Sequence, residues 1–267
     1  MQPAIVFPFH DPDGFMFPHL QVITPVLKQN FSDAYLVVTA TTRESCPQNI
    51  GWLAENSFYS LFLLQDDLPV GDQFTHLYRQ VALDALPEKQ LHLCFLDRLT
   101  FAIRTEHCPQ FFADVQASAG EAFPLIFQRS NKAWKTHPQN YFKIENFITI
   151  LGKILFGKTL DFAWCHLVIR TGLLREIMPL VKNSDMSVLA EMILQIQDKV
   201  KTKDVDWLAW EDPFLLSRDP VELRSERENS SAETHKRLAY AMPMIEALSQ
   251  YSLAQQSQRM GQTRLSF

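Results

Sequence analysis

Four short, largely apolar runs punctuate the first hundred residues: Ala4 to Phe9 (AIVFPF), Ala34 to Thr39 (AYLVVT), Tyr59 to Leu64 (YSLFLL) and Leu91 to Leu96 (LHLCFL). A strand wetted on one face alternates apolar with polar residues, whereas these runs read as buried strands, the kind a sheet covered on both faces requires. Helical patterns separate them. Leu20, Ile23 and Leu27 have helical spacing with Pro18 at a helix start, although Pro25 argues against a long helix there. Phe74 to Leu86 presents Phe74, Leu77, Tyr78, Val81 and Ala85 on one face, and Pro87 stops it. Strand, helix and strand in repetition predict an α/β fold: a mixed, mostly parallel sheet flanked by helices, with right-handed crossovers.

The second half is less regular. Ile144 to Leu155 has helical apolar spacing and Phe162 to Ile169 is strand-like. Ser184 to Val200 reads as an amphipathic helix with Ser184 as N-cap and Asp185 in the first turn, burying Val188, Leu189, Met192, Ile193 and Ile196. Asp206 to Leu216 is aromatic and strand-like until Pro213 interrupts it. Arg218 to Glu233, mixed in charge, reads as an exposed connection. A helix follows from about Thr234 to Tyr251, which Pro243 should kink or split, and the Gln-rich end should fray. The expected division is residues 1–217 as one α/β domain and 218–267 as connection and C-terminal helical extension.

With 46% hydrophobic and 12% aromatic residues in 267, the chain can bury a substantial core and is not of the disordered class. A formal net charge of −5 gives no general attraction to nucleic acid or anionic lipid; either role needs a local patch, and none is evident along the sequence. Cys46, Cys94, Cys108 and Cys165 lie far apart, without zinc or redox spacing, and read as reduced thiols. The N-terminal stretch lacks the pattern of a secretion signal and no segment has the length of a membrane span, so the expected location is cytoplasmic.

One segment matches a strong pattern on paper: Gly152 to Thr159 (GKILFGKT) has the phosphate-loop spacing. The context does not support it. Ile154, Leu155 and Phe156 suit a helix packing face rather than an anion nest, and the following LDFAWCHLVI reads as a strand where a helix is needed. The competing reading is a helix ending near Gly157 with Lys153 in solvent; a phosphate-loop nucleotidase stays as a third alternative. Asp66 and Asp67 are adjacent acids that would point to opposite faces of a strand. The eight histidines show no metal-hydrolase spacing.

The run Leu91 to Thr100 (LHLCFLDRLT) carries Asp97 and Arg98 at the expected strand end, where open α/β sheets place ligand chemistry. A structural salt bridge would explain the same pair. Four further islands accompany it: Phe7-Pro8-Phe9 closing the first strand, Leu36 to Glu44 after the second, Gly71-Asp72 before a helix, and Phe127-Gln128-Arg129-Ser130. In element order and in these islands the chain, from residue 4 to about residue 216, resembles the nucleotide-diphosphosugar glycosyltransferases of GT-A fold, and among them the mannosylglycerate synthases.

That resemblance implies a sugar-nucleotide donor and a small-molecule or glycan acceptor. It implies Pro8 and Phe9 at the nucleoside, Gly71 and Asp72 at the sugar, Asp97 at the diphosphate, and Arg129 with Asp185 at the acceptor. Asp97 and Asp185 would be the catalytic carboxylates. The family holds a divalent cation, Mg or Mn, between two carboxylates one residue apart; here Leu96-Asp97-Arg98-Leu99 supplies one, and the family's later histidine ligand has no counterpart. Either Arg98 supplies the missing charge to the phosphates, or the protein binds without catalysing. Non-ligand readings stand beside these: Asp72 and Asp185 as helix-cap residues, Arg129 as a solvated cation, and Trp207, Trp210 and Phe214 as core.

Overall fold

The computed structural model describes residues 2–183 and 185–264, with side chains described as far as Ser257. In chain order the elements are β1 (Ala4–Phe9), α1 (Phe17–Asn30), β2 (Ala34–Val38), α2 (Ala40–Ser45), α3 (Pro47–Glu55), β3 (Tyr59–Leu63), α4 (Val70–Asp84), β4 (Gln90–Cys94), α5 (Leu96–Arg104) and α6 (Cys108–Ser118). The second half adds β5 (Leu125–Arg129), α7 (Asn131–Trp134), α8 (Gln139–Phe156), β6 (His166–Arg170), α9 (Thr171–Ile177), α10 (Ser187–Ile196), β7 (Lys201–Val205), α11 (Asp212–Leu215), α12 (Pro220–Asn229) and α13 (Ser231–Arg264).

The strands form one seven-stranded sheet in the order β3-β2-β1-β4-β6-β5-β7. Only β6 runs against its neighbours, antiparallel to β4 and β5; the other pairings are parallel. This is the mixed, mostly parallel sheet with flanking helices that the sequence led us to expect. The pleat of β1 shows why apolar residues are needed at every position: Ala4 and Val6 enter the core on one face, Ile5, Phe7 and Phe9 the core on the other. The first core packs α4, α8, α10 and α13 against the sheet, and the second packs α1, α3, α5 and α6. Met244, Ala247 and Leu248 of α13 are buried with Trp164 and Ile193 in that first core.

Several local expectations change. Helix α1 continues through Pro25 because that residue is exposed and the carbonyl it leaves unpaired belongs to Gln21, also exposed, where water can serve. Pro243 likewise sits inside an unbroken α13, which runs on through the Gln-rich stretch to Arg264; residues 265–267 lie outside the described residues. The strand expected to reach Leu96 ends at Cys94, and Leu96, Leu99, Ala102 and Ile103 form the buried side of α5, so Asp97 opens a helix rather than closing a strand. The amphipathic helix is shorter than Ser184 to Val200. It begins at Ser187, its five named apolar residues are buried, and Asp185 precedes it at a left-handed φ of 60°. Ser184, read as its cap, falls outside the described residues.

Asp206 to Trp210 form turns, not a strand, and the last strand is the polar edge segment β7, whose Lys201 to Asp204 are exposed. The mixed-charge run after Arg218 is helical and only partly exposed, with Leu223 buried: Asp219 accepts hydrogen bonds from the N–H groups of Val221 and Glu222, both at 2.9 Å, with Pro220 following it. Finally, α8 occupies the supposed phosphate loop. Gly157 caps it at φ 74°, and Lys158 binds the Gln197 carbonyl and Asp198.

Candidate functional site: a charged cleft between the sheet edge and the C-terminal helices

A cleft of about 330 Å³ lies where β4 and β5 end and β6 begins, a single edge of the sheet because β6 runs in reverse. Asp97 reaches it from the first turn of α5, Arg129 from the last position of β5, and Cys165 from the residue before β6. The opposite wall is α8, with Tyr141, Glu145 and Ile148, and the C-terminal helices, with Arg227 on α12 and Glu233, Lys236, Arg237 and Met244 on α13. The segment expected to be an extension therefore builds half of the cleft.

Most of its charges are already matched. Arg98, buried in α5, forms an ion pair with Glu211 and places the same guanidinium 3.3 Å from His137 Nε2. Burial lowers its pKa, and burial together with the Arg98 charge holds His137 well below the ordinary imidazole range, so His137 is neutral. Arg129 lies 3.1 Å from Glu145 and 3.7 Å from Asp161, donates to Cys165 Sγ at 3.0 Å and stacks 4.5 Å from the Trp134 ring centre. Burial opposes its charge, but Cys165, Glu145 and Asp161 together push its pKa up. Burial also raises the Cys165 thiol and the Asp161 carboxyl. Across the cleft Arg237 is 3.4 Å from Glu145 and 3.8 Å from the Tyr141 ring centre, and Arg227 pairs with Asp212 and Glu233.

Two lining charges differ. Asp97, half-buried, accepts only the N–H of Arg98, at 2.7 Å, and takes part in no ion pair among the described residues. A carboxylate there gains from the free N–H groups opening α5. Lys236, exposed on α13, is likewise in no ion pair among the described residues. A ligand entering the cleft thus meets one carboxylate and one ammonium that belong to no ion pair, beside arginines whose Nε atoms, on Arg129, Arg227 and Arg237, make no hydrogen bond among the described residues.

The other residues singled out from the sequence are divided between two places. Gly71, Asp72 and Asp185 form one cluster beside the cleft. The Gly71 N–H approaches Asp185 Oδ1 at 3.4 Å, and Asp72 Oδ1 accepts the Asp185 N–H at 2.7 Å. Their neighbours Val70 and Met186 line the cleft; these three do not. Pro8 and Phe9 end β1, and the Phe9 side chain is buried in the core with Leu20 and Leu36. Asp67 is bound to Thr41, and Trp207 is core, its indole N–H donating to Asp114 at 2.8 Å. Arg98 lines the cleft at 4% exposure, with its guanidinium held by Glu211. The sequence reading missed Glu145, Glu211, Arg227, Lys236 and Arg237. One signal existed: Glu145 is the single acid on an apolar helix, which asks for a buried partner.

A divalent cation does not fit this donor set. Among the described residues no three His, Cys, Asp or Glu side chains converge, and Asp97 has Arg98 beside it instead of a second carboxylate. No helix among the described residues is long and apolar enough to cross a membrane.

No family model and no curated protein matches the chain. Solved structures do align with it. 4-Diphosphocytidyl-2C-methyl-D-erythritol synthase from Anaerococcus prevotii aligns at 8% identity and TM-score 0.48, over 84% of this chain and 98% of its own. TarS from S. aureus, residues 1–349, aligns at 13% identity and TM-score 0.48, over 92% and 71%. Glucosyl-3-phosphoglycerate synthase from Mycobacterium tuberculosis, solved with Mn2+, UDP-glucose and phosphoglyceric acid, aligns at 9% identity and TM-score 0.47, over 93% and 80%.

Proposed function

We propose that this protein is a GT-A-like glycosyltransferase that binds a nucleotide-diphosphosugar at the carboxyl edge of its sheet and transfers the sugar to a hydroxyl of a small or glycan acceptor. The observation that carries the reading is the position of Asp97. In the order β3-β2-β1-β4 the chain leaves β1 to one side and returns on the other, and ligands of open α/β sheets bind in the crevice beyond the strand ends at such a reversal. Asp97 opens the helix leaving β4 at that point and is the lining carboxylate that forms no ion pair among the described residues.

In transfer, the bond between the anomeric carbon and the diphosphate oxygen breaks and its electron pair leaves with the diphosphate. The acceptor oxygen bonds to that carbon and gives up its proton. Without co-ligands for a cation, Asp97 suits hydroxyl groups better than a diphosphate of like charge: it accepts a sugar hydroxyl or takes the acceptor's proton. Lys236 is the cation left for the diphosphate or for an acidic acceptor. Gly71, Asp72 and Asp185 hold the rim next to Val70 and Met186, and Pro8 with the backbone at the end of β1 faces the nucleoside.

The second reading, a scaffold that binds without turnover, draws on the internal pairing of Arg98, Arg129 and Arg237, which leaves few groups for a transition state. Calorimetry with UDP- and GDP-sugars, with Mn2+ and with chelator, separates the two when joined to a hydrolysis and transfer assay. Binding unaffected by chelator together with sugar release supports transfer. Binding without release supports the scaffold, and the absence of binding to every nucleotide sugar rejects both.

A further inference from the structure

Helix α8 has two sides of opposite character. Its inner side buries Tyr141, Ile148 and Gly152 against the sheet layer and α13, and turns Glu145, its one acidic residue, to Arg129 and Arg237. Its outer side exposes Phe147, Ile150 and Ile154 to 52%, 46% and 73%, values that leave three large apolar groups in water. At about 100° per residue these three and the exposed Lys143 lie within one arc of about 60°, and the exposed Lys153 lies about 60° beyond its edge. Phe147 to Ile154 spans about 10 Å along the axis. Asn146 lies between the arc and Lys153, and no carboxylate of the helix faces outward.

We propose that the outer face of α8 docks the protein on the surface of an anionic lipid bilayer, lying in the interface without crossing it. Apolar side chains interspersed with lysine and free of acid are what an interfacial helix presents: the rings and branched chains enter the acyl boundary, and the ammonium groups meet the phosphates. The contrast with the rest of the chain matters. The formal net charge is −5, so attraction to an anionic surface comes from this face and fixes the orientation. A second copy is the poorer occupant: a two-fold contact through this face brings two lysine-bearing helix faces together with no outward acid on either helix to answer them. Packing of the inner side holds the helix in place, so the outer face is formed before any lipid arrives.

The test is flotation of the full chain with vesicles of pure phosphatidylcholine and with vesicles of about one-third phosphatidylglycerol. The expected result is binding to the anionic vesicles, weakened by salt, with little binding to the neutral ones. Phe147→Ser with Ile154→Ser, and separately Lys143→Glu with Lys153→Glu, should each lower partitioning about tenfold or more. Leu83→Ser, which removes an equally exposed apolar residue from α4, should leave it unchanged, and circular-dichroism melts verify that all variants fold. The proposal is overturned by failure to float with anionic vesicles, by equal loss in the Leu83 variant, or by unaltered partitioning of the α8 variants. It is also overturned if light scattering reveals a dimer that the serine variant dissolves.

Discussion

Arg98 on α5 and Glu211, ahead of α11, form an ion pair in which the side chains retain 5% and 3% of their exposure. The pair explains why the guanidinium next to Asp97 is not available to a ligand: it ties α5 to the turn carrying Trp210 and leaves Asp97 alone at the cleft. Removing one partner strands the other charge in the interior. Glu211→Ala is expected to destabilise the fold by about 3–5 kcal/mol, read from urea unfolding. A change no larger than a surface pair gives, below about 1 kcal/mol, would contradict the burial.

Gly71 packs directly on the Asp185 backbone. A Cβ at position 71 would stand 1.9 Å from the Asp185 carbonyl carbon and 2.3 Å from the Met186 nitrogen, both of them backbone atoms that cannot swing aside. Gly71→Ala is expected to cost about 1–3 kcal/mol and to displace the 185–186 turn from the cleft rim. Denaturant midpoints measure the first effect, and weakened nucleotide-sugar binding at matched folded fraction the second.

Asp97 should separate chemistry from folding. Since its carboxylate holds only one backbone N–H of its own helix, Asp97→Asn is expected to leave the melting temperature within a few degrees of the parent while lowering sugar transfer about 100-fold or more. Full activity in the asparagine protein would exclude the carboxylate from the reaction.

Acid stability should depend on a histidine pair. His92 on β4 and His166 on β6 share a hydrogen bond of 2.8 Å inside an aromatic shell of Phe111, Phe127 and Trp207, and His92 Nδ1 and His166 Nε2 have no partner. Burial lowers the His92 pKa to about 3 from 6.5 and holds His166 well below its usual value. The unfolded chain therefore takes up the protons first. The contribution is whole above pH 6.5 and is lost as pH falls from there towards 3, by up to about 1.4 kcal/mol per pH unit for each imidazole. Urea titrations between these limits should show that slope, and His92→Leu, weaker at neutral pH, should show a slope shallower by one proton.

Burying Gly152 against the Phe162 ring, where an added Cβ would come 2.1 Å from a ring carbon, belongs to a helix interface and not to an anion nest. Lys158→Ala is accordingly expected to leave nucleoside triphosphate binding at background, and Gly152→Ala to lower stability by about 1–3 kcal/mol. Tight ATP binding lost with Lys158 would reverse this.

The parts of the fold legible in the sequence are those where one residue's neighbours along the chain decide its state. Ala4 to Phe9 needs apolar groups on both faces of its pleat, and its limits came out as read. Phe74, Leu77, Tyr78 and Val81 repeat with the helical period, and Gly157 ends α8 because few other residues accept its backbone angles cheaply. Where the deciding partner is distant the reading failed. The edge strand β7 is polar because one neighbour, β5, is enough to hold it. Helix α12 is the exception, since its start signal, Asp219 followed by Pro220, is local.

The candidate site divides along the same line. The amino-acid order by itself determined that the chain would build a doubly covered, mostly parallel sheet and that Asp97 would stand just past its fourth strand, since both follow from hydrophobic period and element order. Which charges remain free there was decided by the tertiary structure alone. Glu211 reaches Arg98 from 113 residues further along the chain, Glu145 and Asp161 close on Arg129, and α13 brings Lys236 and Arg237 across the cleft. A buried ion must find its counter-ion in space, and the strength of that requirement rises as water is excluded, so the pairing that leaves Asp97 and Lys236 unmatched exists only once the chain has closed.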